Sequence, residues 1–161
     1  MPAKEKVMSL YELIVQTGSA FLAILGFGII LSVPHGLLAA AGFAGALNWA
    51  VYCVVTGAGG GVVRAALMAS MAAAFSSHVL ARRKKAPVMV FLLPGILPTV
   101  PGASIYRTVL CLSRQENILA ADYLAETLQI AGAMALGIFI VDSVVRQLPW
   151  GTVIRHPSLR K

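Results

Sequence analysis

Residues 13–63 read LIVQTGSAFLAILGFGIILSVPHGLLAAAGFAGALNWAVYCVVTGAGGGVV, 51 residues without one Asp, Glu, Lys or Arg. A helix crossing a bilayer needs about 20 mostly apolar residues, so this stretch holds two crossings and the connection between them. The rest of the chain has the same character. Of 161 residues, 58% are hydrophobic and only 12% charged, whereas soluble domains carry about 25% charged residues. The sequence therefore predicts an all-α integral membrane protein. That reading excludes a soluble enzyme, a nucleic-acid binder and a disulfide-stapled secreted domain.

Working outward, the first segment is expected over residues 13–31. It is too long for the 7–15-residue apolar region of a cleaved leader, so an uncleaved first span is expected. Val33-Pro34-His35-Gly36 breaks it, because proline has no N–H to continue a helix and restricts the residue before it. A second segment (37–55) ends at Gly57-Ala58-Gly59-Gly60-Gly61. A third (62–80) ends at Arg82-Arg83-Lys84-Lys85. The fourth, 87–112, contains Leu93-Pro94-Gly95-Ile96-Leu97-Pro98-Thr99-Val100-Pro101-Gly102, which cannot be one regular helix. It predicts either a broken span or a re-entrant pair of half-helices, with the freed backbone groups satisfied by protein or water. Ser113-Arg114-Gln115-Glu116-Asn117 forms a polar connection, and a fifth segment covers 122–145. The organisation is thus a short tail (1–12), a transmembrane helical domain (13–145) and a basic tail (146–161). About five spans fit best, with four plus a re-entrant loop as the alternative.

The net charge of +7 would suggest a polyanion partner in a soluble protein; here it is concentrated at segment flanks, where a topological role is favoured over specific lipid binding. Residues 82–85 belong in the cytoplasm by the positive-inside rule. Arg155, Arg160 and Lys161 join them if segments four and five each cross once. Counting back through three segments places the N-terminus outside, mildly opposed by Lys4 and Lys6 and partly offset by Glu5 and Glu12. Small residues four apart (Ala40/Ala44, Ala41/Gly45, Gly42/Ala46, Ala65/Ala69/Ala73, Ala133/Gly137) form ridges that let helix backbones approach closely in lipid. A chain of this size is too small to surround a solute pathway alone, which points to an oligomer or a partner subunit.

Polar residues inside these segments are the functional candidates. Only the fifteen residues 127–141 of segment five are uncharged, so a full span draws Glu126 or Asp142 toward the hydrocarbon. Both are proton-coupling candidates, and Asp122 is a candidate helix cap. Arg107 follows the proline-rich break; an arginine holds a carboxylate through two parallel hydrogen bonds. The exposed amides of a broken helix also favour an anion, an arrangement used by discontinuous helices in secondary transporters. Substrate-binding or gating candidates are therefore Arg107, Pro94, Gly95, Pro98, Thr99, Pro101, Gly102, Ser104, Tyr106 and Asn48. For Asn48, the one amide of segment two, a helix–helix hydrogen bond is favoured over solute contact. Arg64 is expected at an interface, His78 at headgroups, and Gln129 is a weaker candidate. Cys53 and Cys111 read as small buried residues without metal-ligand spacing. No HExxH, GxSxG or Walker pattern occurs. No catalytic residue, metal or cofactor is assigned, and the chain is not expected to be an enzyme.

Residues 78–110, HVLARRKKAPVMVFLLPGILPTVPGASIYRTVL, resemble the small membrane subunits of the threonine/serine exporter family, which include bacterial proteins implicated in succinate export. The basic cluster, Pro94-Gly95, Pro98, Pro101-Gly102 and Tyr106 carry the likeness. The resemblance implies a chain similar to the C-terminal half of fused exporters, in the bacterial inner membrane. It also implies a larger membrane subunit with a cytoplasmic N-terminal region as partner. A half preceded by five spans enters from outside and finishes inside, matching the charge-based orientation. The expected function is export of a small carboxylate metabolite, threonine or serine or a C4 dicarboxylate such as succinate. One arginine with helix-end dipoles suits one carboxylate; a dicarboxylate wants a second donor site. The competing readings are a non-transporting scaffold or regulatory subunit and a passive channel.

Overall fold

A computed structural model describes residues 9–147; Lys4, Glu5, Lys6, Arg155, Arg160 and Lys161 lie outside the described residues. Six helices follow one another: α1 (Leu10–Ile30), α2 (His35–Gly57), α3 (Val62–Lys84), α4 (Met89–Ile96), α5 (Gly102–Ser113) and α6 (Asn117–Gln147). Four of them are long and apolar enough to cross a membrane, and α4 with the 3-10 turn Leu97–Thr99 meets α5 at a 53° bend.

Hydrocarbon leaves no water for unpaired backbone groups, and the helix ends show how the chain complies. The N-terminus of α1 is closed by a capping box between Ser9 and Glu12. Four helices then stop in the same way, with two backbone bonds wrapped around one left-handed residue. Val33 N–H reaches Gly28 O at 2.9 Å, Gly60 N–H reaches Val55 O at 2.9 Å, Ala86 N–H reaches Ala81 O at 3.0 Å and Glu116 N–H reaches Cys111 O at 2.9 Å. This is the Schellman pattern. Glycine occupies its left-handed position at Gly59, but Ser32, Lys85 and Gln115 occupy the other three, each at a cost of about 1–2 kcal/mol.

Two boundaries differ from the sequence expectation by four residues or more. The third segment continues through Arg82, Arg83 and Lys84, where cations in the last helical turn complement the exposed carbonyls. The fifth starts at Asn117 rather than near residue 122, because the Gln115 stop ends α5 abruptly and Glu116 O accepts Ala120 N–H at 3.0 Å. Asp122 is consequently an exposed residue inside α6 rather than its cap.

Small residues set the packing. Ala65, Ala66, Ala69 and Ala73 of α3 and Ala41 and Ala44 of α2 are completely buried. A Cβ on Gly45 would stand 2.6 Å from Ile24 of α1, and one on Gly137 would stand 2.8 Å from the Leu67 carbonyl of α3. Ala66 packs with Ile130 and Met134, while Ala74 packs with Val141 and Val145. Residue numbers rise together along both partners, so α3 and α6 are parallel. The chain leaving α3 must therefore return across the bundle before α6 begins, and α4 with α5 is the element that does so. That favours five crossings over the re-entrant alternative.

Candidate functional site

The break is built from three missing donors. Pro94 lies inside α4 and offers nothing to the preceding turn. Pro98 cannot donate to the Pro94 carbonyl, which takes the Leu97 N–H instead. Pro101 cannot donate to Leu97 O, so Val100 N–H does, at 3.2 Å. Pro101 itself has φ −76° and ψ 50°, and Gly102 N–H closes onto Val100 O at 2.7 Å. This is an inverse γ-turn, and it reorients α5.

One side chain secures this irregular backbone. Asn48 of α2 is fully buried; its Nδ2 donates to the Gly95 carbonyl at 2.8 Å and to Thr99 Oγ1 at 3.0 Å. The Thr99 hydroxyl donates in turn to Ile96 O at 3.1 Å. Gly95 lets the two helices approach closely here, since a Cβ on it would lie 3.2 Å from Ala44 Cβ. Asn48 thus makes the helix–helix bond favoured from sequence.

Beyond the break, α5 and α6 run antiparallel and carry two polar rungs. Ser104 Oγ donates to Glu126 Oε2 at 3.3 Å. One turn farther along, the Arg107 guanidinium lies 5.6 Å from the centroid of the Tyr123 ring, within cation–π range. Glu126 is half-buried and Arg107 exposed. Arg107 forms no ion pair among the described residues, so the planar edge of its guanidinium is open to an incoming carboxylate. Tyr52 of α2 lies within electrostatic reach of Glu126. A carboxylate with one hydroxyl donor thus stands one turn from an aromatic-seated cation.

The remaining candidates divide by position. Pro94 and Gly95 are buried, Pro98 and Pro101 half-buried, Gly102 exposed and Tyr106 68% exposed on the far side of α5. Arg64 and Gln129 are exposed. Asp142 stands about 24 Å along α6 from Glu126 at 1.5 Å per residue, where it meets His78 Nε2 at 3.3 Å and Arg146 Nε at 2.8 Å. Sequence reasoning missed Gln16, whose Oε1 accepts from Trp49 Nε1 at 3.3 Å and Cys53 Sγ at 3.2 Å. Its signal was available, as it is the one amide of the first segment. It also missed Tyr123, which stands three residues from Glu126 and so shares its helix face.

Comparison with known proteins bears on this arrangement. A family model described as "Threonine/Serine exporter, ThrE" matches residues 16–144, which include the break and both rungs. A Corynebacterium glutamicum protein described as a threonine/serine exporter is 31% identical over 88 residues, 55% of this chain. The matched region spans only 18% of that relative's length. No solved structure matches the chain. The family model extends from the first crossing to the end of the last, and on that extent the chain belongs to the threonine/serine exporter family.

Proposed function

We propose that this chain is one component of a secondary transporter that exports a small carboxylate-bearing solute, threonine, serine or a C4 dicarboxylate such as succinate. The observation that carries the reading is the pair of rungs, Ser104–Glu126 and Arg107–Tyr123, set directly beyond the Pro94–Gly102 break. Family membership and the name of the Corynebacterium glutamicum relative support export. In this reading Arg107 and the amides opening α5 take the carboxylate, and Glu126 exchanges the proton that couples transport. Asn48 and Thr99 hold the break and position α5. The partner is a larger membrane subunit of the same family with a cytoplasmic N-terminal region, which completes the pathway.

The test is efflux of threonine, serine and succinate from preloaded proteoliposomes, with this chain alone and with its partner, with and without a pH gradient. Saturable efflux is expected only from the pair. A hydrogen bond to a charged group is worth about 1.5–3 kcal/mol, so Arg107→Gln should weaken apparent solute affinity about 10- to 100-fold. Glu126→Gln should remove the response to the pH gradient while solute still binds. An assembled pair indifferent to both substitutions would be a scaffold at this site.

A further inference from the structure

We propose that the groove between α3, α4 and α6 at the basic end of the bundle binds one anionic phospholipid. The groove has a volume of about 730 Å³. Toward the middle of the bundle its lining is apolar, with Leu92, Ile138 and Phe139, and toward the basic end, its mouth, it is formed by His78, Arg82, Asp142 and Arg146. Along α6 the lining runs from Ala135 to Arg146, about 16 Å at 1.5 Å per residue. Polarity therefore changes along the groove as it does along a lipid, from acyl chain to headgroup. Phe139 is 67% exposed, so the groove opens sideways out of the bundle.

Charge at the mouth selects the headgroup. The Asp142 carboxylate is already engaged by His78 through one oxygen and by Arg146 Nε through the other. Arg146 spends only Nε on that bond, and its two Nη groups have no hydrogen-bond partner among the described residues. A guanidinium so held presents its outer donors to a phosphate. Arg82 adds a second cation to the lining, and Arg83, Lys84 and Lys85 extend the positive field around the same helix end. Basic pockets between transmembrane helices at a cytoplasmic surface hold anionic headgroups by this chemistry. A small free solute would leave the apolar wall uncovered, whereas a diacyl lipid covers both halves. This inference is independent of the transport reading, since it uses neither Arg107 nor Glu126.

Native mass spectrometry of the purified full chain, from micelles containing equal phosphatidylglycerol and phosphatidylcholine, tests it. One phosphatidylglycerol should be retained in preference to phosphatidylcholine. Each basic residue near an anionic surface contributes about a fivefold change in affinity. Arg146→Gln should therefore lower retention about fivefold and the Arg82→Gln/Arg146→Gln pair about 25-fold. Arg146→Lys should keep most of it, and Arg114→Gln, at the opposite end, should keep all. Glycerol 3-phosphate, a headgroup without chains, should fail to displace the lipid at millimolar concentration. Equal retention of the two lipids by the unaltered chain would overturn the proposal without recourse to any variant. So would unchanged retention in the double variant, or displacement by glycerol 3-phosphate, which would mark a free-anion site.

Discussion

Asn48 illustrates how one side chain fixes an irregular backbone. Interhelical hydrogen bonds in membranes average only about 0.6 kcal/mol each, yet removing the donor while leaving the Gly95 carbonyl buried carries the desolvation cost of that group. Asn48→Ala should therefore destabilise the protein by about 1–3 kcal/mol, measured by denaturant titration in micelles. Asn48→Gln keeps the amide but displaces it by a methylene, and should recover little of the loss. The residue itself was conspicuous in the sequence as an amide among apolar neighbours. Its partners were not, because Gly95 and Thr99 lie 47 and 51 residues away and no local pattern encodes that pairing. Glu126 was likewise legible from the short uncharged stretch beside it, while Ser104 as its donor emerged only from the register of α5 against α6.

At the scale of elements, hydropathy predicted the helices and the prolines predicted the break, since both signals are local. The stops were harder to read: Ser32, Lys85 and Gln115 adopt a conformation usually left to glycine, and each is held there by bonds formed only after the helix folds. The break makes a sharp prediction. Pro101→Ala restores an N–H that can reach Leu97 O, so α4 and α5 should move toward one straight helix. Spin labels at positions 93 and 109 should then separate by about 2–3 Å, given a 1.5 Å rise per residue and the present 53° bend; an unchanged distance would mean that packing, not proline, sets the angle. The small-residue ridges make another. Gly137→Ala drives a Cβ to 2.8 Å from the Leu67 backbone carbonyl, which cannot rotate away, and should lower the thermal midpoint. Gly18→Ala meets nothing within 4 Å and should be neutral or stabilising by up to about 1 kcal/mol.

For the molecule as a whole, four long apolar helices, the broken one and family membership define a multi-pass inner-membrane protein. The ridges foretold that α2, α3 and α6 would pack closely, but not that α3 and α6 would be parallel. That relation depends on which ridge meets which, and small residues are alike in this respect. Its consequence is checkable: with Cys53 and Cys111 replaced, Glu116→Cys and Lys84→Cys should react with an impermeant maleimide from opposite sides of right-side-out vesicles. Labelling of both from one side would make α4–α5 re-entrant.

The length of α6 has a mechanical corollary. Between the carboxylates Asp122 and Asp142 its exposed apolar side chains run from Leu124 to Ile140, a band of about 24 Å at 1.5 Å per residue set against hydrocarbon about 30 Å thick. The shortfall is relieved by thinning of the lipid around the helix or by movement of the helix within it. Because α6 is tied to α5 at Ser104–Glu126 and to α3 at His78–Asp142, any such movement is shared with both neighbours. Bilayer thickness thereby becomes an input to the angle of α5, and a series of acyl-chain lengths becomes a dial on it.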